Sequence, residues 1–162
     1  MIVYLAGPID FNAESAVNEH RHQIKEYFKR FERAWVYDPS KAWGGGPRPD
    51  QFVFVHWANL QVLDQADLVV AILMRNTLTV GTILEIQRAR ENEIPVLVVG
   101  DVGEDSISLH ALDVEVHESV AGFDDFWVSE ISNIAAIHKP VERRECECLA
   151  LHAAHDECDC TY

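Results

Sequence analysis

Residues 68–73, LVVAIL, carry no polar side chain on either face. A strand with one wet face alternates apolar and polar residues, whereas a strand covered on both faces does not. This segment therefore predicts an inner strand of a parallel sheet with helices above and below. The pattern repeats outward. Residues 95–100, PVLVVG, form another such strand, and residues 2–9, IVYLAGPI, a third that is broken by Gly7 and Pro8. AWVYD at 34–38 is a short strand stopped by Pro39, and VEVHE at 114–118 reads as the fifth.

Helical periodicity fills the intervals. Val17, Ile24, Tyr27, Phe28 and Phe31 recur at helical spacing within 14–32. Residues 51–65 predict a helix with Phe52, Val55, Leu60 and Leu63 inward, and further helices are expected at 79–92 and 123–137. Ser40–Asp50, SKAWGGGPRPD, holds three glycines and two prolines and is expected to be irregular. The sum is an α/β fold. It is a doubly wound, five-stranded parallel sheet, flavodoxin-like or Rossmann-like, in strand order 2-1-3-4-5 with right-handed crossovers. Ligands of such sheets bind outside the carboxyl ends of the strands, near the switch in strand order. Those ends are Ala6–Asp10, Asp38 with the glycine loop, Met74–Glu85 and Asp101–Asp105.

The 162 residues suit one domain. Thirteen Lys+Arg against 27 Asp+Glu give a net charge of −14, which disfavours nucleic-acid polymers. A small anion held by backbone N–H groups at a helix start stays open. No apolar run is long enough to span a bilayer, and MIVYLAGPID reads as a buried strand and not a signal peptide. All four cysteines, Cys146, Cys148, Cys158 and Cys160, fall near the end of the chain, so the core is no disulfide scaffold and a cytoplasmic protein is expected.

Thr79-Val80-Gly81-Thr82 opens a helix at the ligand-binding edge. Gly81 permits close backbone approach, and the free N–H groups favour an oxygen-rich ligand; from spacing alone a plain N-cap at Thr79 or Thr82 is the commoner reading. Glu85 lies one turn further on. There the helix dipole favours its anion, which suits a nucleophile. Its neighbours Ile83, Leu84 and Ile86 are apolar, which points away from a solvated surface acid.

Tyr4-Leu5-Ala6-Gly7-Pro8-Ile9, Ala66-Asp67-Leu68-Val69-Val70-Ala71 and the GTxxEIxxA segment from Gly81 to Ala89 resemble the nucleoside 2-deoxyribosyltransferase family, and are similar to its phage-borne branch. The resemblance covers about residues 1–138 and leaves 139–162 as a separate acidic, Cys-rich tail. It implies that Glu85 attacks C1′ of the sugar and displaces the base, and that a second base or water resolves the glycosyl-enzyme. It implies that Tyr4 hydrogen-bonds the nucleophile, and that Gly7 and the loop with Trp43 border the substrate, Trp43 being placed to stack on a base.

Two positions depart from the family. Where many relatives have an aspartate this chain has Asn59, which can bind a sugar hydroxyl but cannot act as a general acid. Asp38 and Asp10 are the alternative proton sources. Thr79 replaces the aspartate of the nucleoside-specific enzymes, where the monophosphate hydrolases carry serine, and a neutral hydroxyl tolerates phosphate. Asp10, at a position where those hydrolases have arginine, points the other way.

The reading is thus an enzyme cleaving the N-glycosidic bond of a 2′-deoxyribonucleoside or its 5′-monophosphate and transferring the sugar to another base. A nucleoside 5′-monophosphate hydrolase and a non-catalytic nucleotide-sequestering protein are the alternatives. No metal or organic cofactor is expected, and the resemblance implies a homodimer or larger homo-oligomer. His20, His22 and His56 read as surface or edge residues, and Trp57 as a core residue or a second stacking candidate. The tail, with His152 and His155 between its cysteine pairs, is read as acidic and disordered; zinc is the alternative, at a spacing unlike the standard finger.

Overall fold

The computed structural model describes residues 1–8, 15–42, 48–75, 80–102, 107–112, 114–123 and 125–137. Five strands form one parallel sheet: β1 (Ile2–Ala6), β2 (Trp35–Tyr37), β3 (Leu68–Ile72), β4 (Val96–Val99) and β5 (Glu115–His117), in order β2-β1-β3-β4-β5. The helices are α1 (Ser15–Phe28), α2 (Pro39–Ala42), α3 (Phe52–Leu63), α4 (Val80–Glu91), α5 (Ile107–Leu112) and α6 (Asp125–Ile137). This is the doubly wound sheet that the apolar strands require, and its order reverses at β1.

Each central strand divides its side chains between two cores. Val3 and Leu5 of β1, with Leu68, Val70 and Ile72 of β3, pack beneath Val17, Ile24 and Phe28 of α1 and Ile131 of α6. Tyr4 and Ala6, with Val69 and Ala71, pack against Leu63 of α3 and Ile86 and Ala89 of α4. Every residue of β3 is buried, as a strand covered on both faces must be. Tyr4 thus projects toward the α3–α4 side.

Several details differ from the sequence reading. The segment after β2 begins with a helical turn, α2, and residues 49–51 form a 3-10 turn, so 40–50 is not wholly irregular. Asp38 starts α2: its carbonyl accepts from the N–H groups of Lys41 and Ala42, its carboxylate accepts from the Ser40 N–H at 3.0 Å, and Pro39 takes the first helical position, where no N–H is needed. Helix α5 is an addition to the expected elements. On α3 the inward residues are Val55, Asn59 and Leu63, while Phe52 is exposed and Leu60 only half-buried. That helix is apolar nearly all round, so its periodicity could not select a face. Trp57 is 60% exposed and is not a core residue. No helix among the described residues is long and apolar enough to cross a membrane.

Candidate active site

Tyr4 points from the middle of β1 toward α4, and its hydroxyl donates to Glu85 Oε1 at 2.6 Å. These residues stand 81 positions apart in sequence; the β1–β3 pairing and the helix after β3 bring them together at the carboxyl edge. Burial raises the Glu85 carboxyl to about 7, with the Tyr4 hydrogen bond and the charge of Arg21 offsetting part of the rise. The expectation that the helix dipole favours the anion considers the helix alone; in the folded chain desolvation is the largest influence on the carboxyl and raises it. The source of that desolvation also differs from the sequence reading. Successive helical residues point about 100° apart, so flanking apolar residues do not enclose a side chain. Leu84 is 51% exposed, whereas Ile86 is buried. The protein body, not the local sequence, dries Glu85.

Burial also drives the Tyr4 hydroxyl upward, reinforced by the charge of Glu85 and the hydrogen bond to it. Tyr4 is thus a neutral donor that orients one carboxylate oxygen, and no proton source for a leaving base. Beside it, the Tyr37 ring lies 5.7 Å from the Tyr4 ring, and its hydroxyl donates to Asn59 Oδ1 at 2.9 Å. Asn59 is buried on α3 and is held by this bond to Tyr37.

Asp38 requires a correction. Its carboxylate is buried between Arg21 Nη1 at 2.6 Å and Lys25 Nζ at 2.5 Å, and also accepts from the Ser40 hydroxyl at 2.6 Å. Burial pushes the carboxyl up, but Arg21, Lys25 and Ser40 more than offset this and hold it below the ordinary range. Asp38 is an anion at neutral pH, with no proton to deliver. Sequence reasoning misses Arg21, although a signal is present. Val17, Arg21, Ile24 and Phe28 share one helical stripe, and a cation on an apolar stripe calls for a buried anion.

Gly7 ends β1 with its Cα against Arg21. A Cβ there would lie 3.0 Å from Arg21 Nη2 and 3.3 Å from Ile72 Cβ. Thr82 is buried in the first turn of α4, while Gly81 is exposed with nothing within 4 Å of an added Cβ. Gly81→Ala is therefore expected to leave the fold intact and raise stability by about 0.5–1 kcal/mol through helix propensity. If substrate approaches that backbone, KM rises in the same variant; thermal melts and kinetics on one sample separate the effects. Asp10, Trp43 and Thr79 lie outside the described residues, as does the Cys-rich tail. Among the described residues no group of three or more His, Cys, Asp or Glu could hold a metal ion. A cavity of about 620 Å³ lies away from this edge, between α4, the starts of β4 and β5, and Trp127, and includes neither Tyr4 nor Glu85.

Fold and site together define a doubly wound α/β protein with a desolvated, tyrosine-held carboxylate at the ligand-binding edge of its sheet. A family profile described as nucleoside 2-deoxyribosyltransferase matches residues 3–123, which include both Tyr4 and Glu85. The chain belongs to the nucleoside 2-deoxyribosyltransferase family. It is similar in fold to the 2-deoxyribosyltransferase of Bacillus psychrosaccharolyticus, with a TM-score of 0.63 and 21% identity over 79% of this chain and 96% of that one. It also resembles the 2-desoxiribosyltransferase of Leishmania mexicana, with a TM-score of 0.52 and 14% identity over 85% of this chain and 99% of that one. No curated protein matches the sequence.

Proposed function

We propose that the chain is an enzyme that cleaves the N-glycosidic bond of a 2′-deoxyribonucleoside, or of its 5′-monophosphate, and transfers the deoxyribosyl group to a second base. The observation that carries this reading is the Tyr4–Glu85 pair at the carboxyl edge, in a chain of this family. The Glu85 oxygen not bonded to Tyr4 attacks C1′. The C1′–N bond breaks, and its electron pair leaves with the base, which takes a proton from solvent. The incoming base then attacks C1′ through nitrogen, loses its proton, and returns the carboxylate to Glu85. Two inversions leave the configuration at C1′ unchanged. With water as the second nucleophile the same steps give hydrolysis. Asn59, lacking an acid proton and bonded to Tyr37, supports a proton route that does not pass through that position.

The test is incubation with each deoxynucleoside and deoxynucleotide, with and without a second free base, followed by separation of products. A new nucleoside formed only with the acceptor supports transfer. Free base without an acceptor replaces transfer by hydrolysis, and no product with any substrate overturns the reading. The pH profile is a second check. The attacking form is the ionised one, so kcat/KM is expected to rise with pH through a midpoint near 7 and to fall below it. A profile flat down to pH 5 excludes Glu85 as the titrating nucleophile.

We further propose that the chain acts as a homodimer or larger homo-oligomer joined through α3. Val53 is 71% exposed, with Phe52, Phe54 and Trp57 beside it, and Val80 and Leu84 of α4 are exposed as well. In a chain of net charge −14, residues 52–60 carry no Asp, Glu, Lys or Arg, so two copies meet there without like-charge repulsion. Val53→Asp with Trp57→Asp is expected to reduce the mass seen by sedimentation equilibrium to that of one chain. An unchanged oligomer places the interface elsewhere.

A further inference from the structure

The cavity at the amino ends of β4 and β5, about 620 Å³, is of the size that holds a small molecule, for which sites of roughly 300–1,000 Å³ are usual. Val96 and Val114 give it an aliphatic floor, and the Trp127 indole stands beside them. Arg90, Glu93 and Glu115 bring charge to the lining. The indole N–H donates to Glu115 Oε2, which fixes ring and carboxylate relative to each other. Glu93 is held at the cavity against a backbone preference. Its N–H donates to the Arg90 carbonyl at 3.1 Å, and the Ile94 N–H donates to the Ala89 carbonyl at 2.9 Å. This pattern closes a helix through one left-handed residue, and glycine is its ordinary occupant because a Cβ is disfavoured there. Here the residue is Glu93, with φ at +58°. Among the described residues no side-chain partner meets its carboxylate. The chain thus places an unpaired acid at the cavity at a cost in stability, and strain of this kind marks functional positions.

We propose that this cavity is a second small-molecule site, and that it takes a free, neutral nucleobase bearing an exocyclic amine. The flat ring lies against the indole and the aliphatic floor, where stacking and burial of its faces hold it. An ionised carboxylate only accepts hydrogen bonds, so the ligand brings N–H donors, and the amine and a ring N–H meet Glu93 and Glu115. A guanidinium only donates, so the ligand also brings an acceptor, which a ring nitrogen supplies to Arg90. The same guanidinium counts against a ligand with a full positive charge, and the two acids count against an anion. A base with a π-face, neighbouring donors and acceptors and no charge satisfies all of these groups at once. The cavity includes neither Tyr4 nor Glu85, so binding here does not depend on the reaction proposed for Glu85.

The probe is adenine, added to the full chain carrying 15N-labelled tryptophan, and the readout is the Trp127 indole N–H signal. The chain has four tryptophans. The signal is assigned with Trp127→Phe or, if that variant does not fold, by exclusion with Trp35→Phe, Trp43→Phe and Trp57→Phe. Adenine is expected to move it saturably with a Kd of about 0.1–1 mM, ordinary for a ligand of its size. Glu93→Gln is expected to weaken binding about fivefold. Glu93→Gly should weaken it at least as much while raising the melting temperature, since glycine adopts the left-handed backbone freely. 6-Dimethylaminopurine keeps the rings but lacks the amine hydrogens, and should bind at least about fivefold more weakly than adenine. A Trp127 signal that stays in place at about 5 mM adenine overturns the proposal. So does a shift with the same midpoint in the parent and both Glu93 variants, or with the same midpoint for adenine and 6-dimethylaminopurine.

Discussion

Glu85→Gln is expected to be folded and inert, with kcat/KM at least about 10³-fold below the parent. The amide keeps the volume of the acid, and its oxygen can still accept from Tyr4, but it cannot form the ester to C1′. The stability of the variant carries independent information. Burial raises the Glu85 carboxyl from its ordinary 4.5 to about 7, so the folded chain holds that proton more tightly than the unfolded chain. The contribution of the acid to stability is therefore most favourable below about pH 4.5 and is lost as the pH rises through 7. Glutamine carries no such charge. At pH 8 the variant should be more stable than the parent by about 3 kcal/mol, and at about pH 4 the difference should nearly vanish. Thermal melts at the two pH values check this. Near-normal turnover by a folded Glu85→Gln removes the covalent mechanism, and lower stability at pH 8 removes the desolvated-carboxylate account.

The second large effect concerns stability. Gly100 follows β4 with φ at +148°, and a Cβ there would fall 1.8 Å from the Leu73 carbonyl oxygen. Neither the backbone angle nor the space admits a side chain, so Gly100→Ala is expected to cost about 3 kcal/mol or more, a large part of a domain's stability. The damage reaches the site. The Leu73 N–H donates to Val99 and the Gly100 N–H to His117, so this junction ties the carboxyl ends of β3, β4 and β5. Leu73 also leads toward the loop before α4, where the Arg75 N–H donates to Asp101 Oδ1 at 2.5 Å. A urea unfolding midpoint for Gly100→Ala equal to that of the parent would show that the strand ends do not meet as described.

The amino-acid sequence by itself determines the elements and the edge at which they act. LVVAIL at 68–73 and its counterparts at 2–9 and 95–100 state their own burial, because only a strand covered on both faces can be apolar at every position. Alternation of such strands with helices forces a parallel sheet, and a parallel sheet places ligands at its carboxyl edge. The candidates Tyr4 and Glu85 follow from that edge and from motifs short enough to be read in one stretch. The acidic balance, the concentration of cysteine in the tail and the break at Gly7-Pro8 are likewise properties of the chain itself.

Only the tertiary structure decided what those residues are chemically. The state of a carboxyl depends on its solvent and on charges around it, which come from remote parts of the chain. Glu85 is dried by the protein body, so its carboxyl rises where the helix dipole alone predicts a fall, and the charge that offsets part of the rise belongs to Arg21 of α1, 64 positions earlier. Asp38 looks like a free acid at a strand end, yet Arg21 and Lys25, both on α1 before it, hold its carboxyl below the ordinary range. The faces of α3 were equally undecided, because a helix apolar nearly all round can bury any side; packing chose Val55, Asn59 and Leu63 and left Val53 and Trp57 outside. Burial and charge at a site are sums over neighbours distant in sequence, and only the folded chain supplies them.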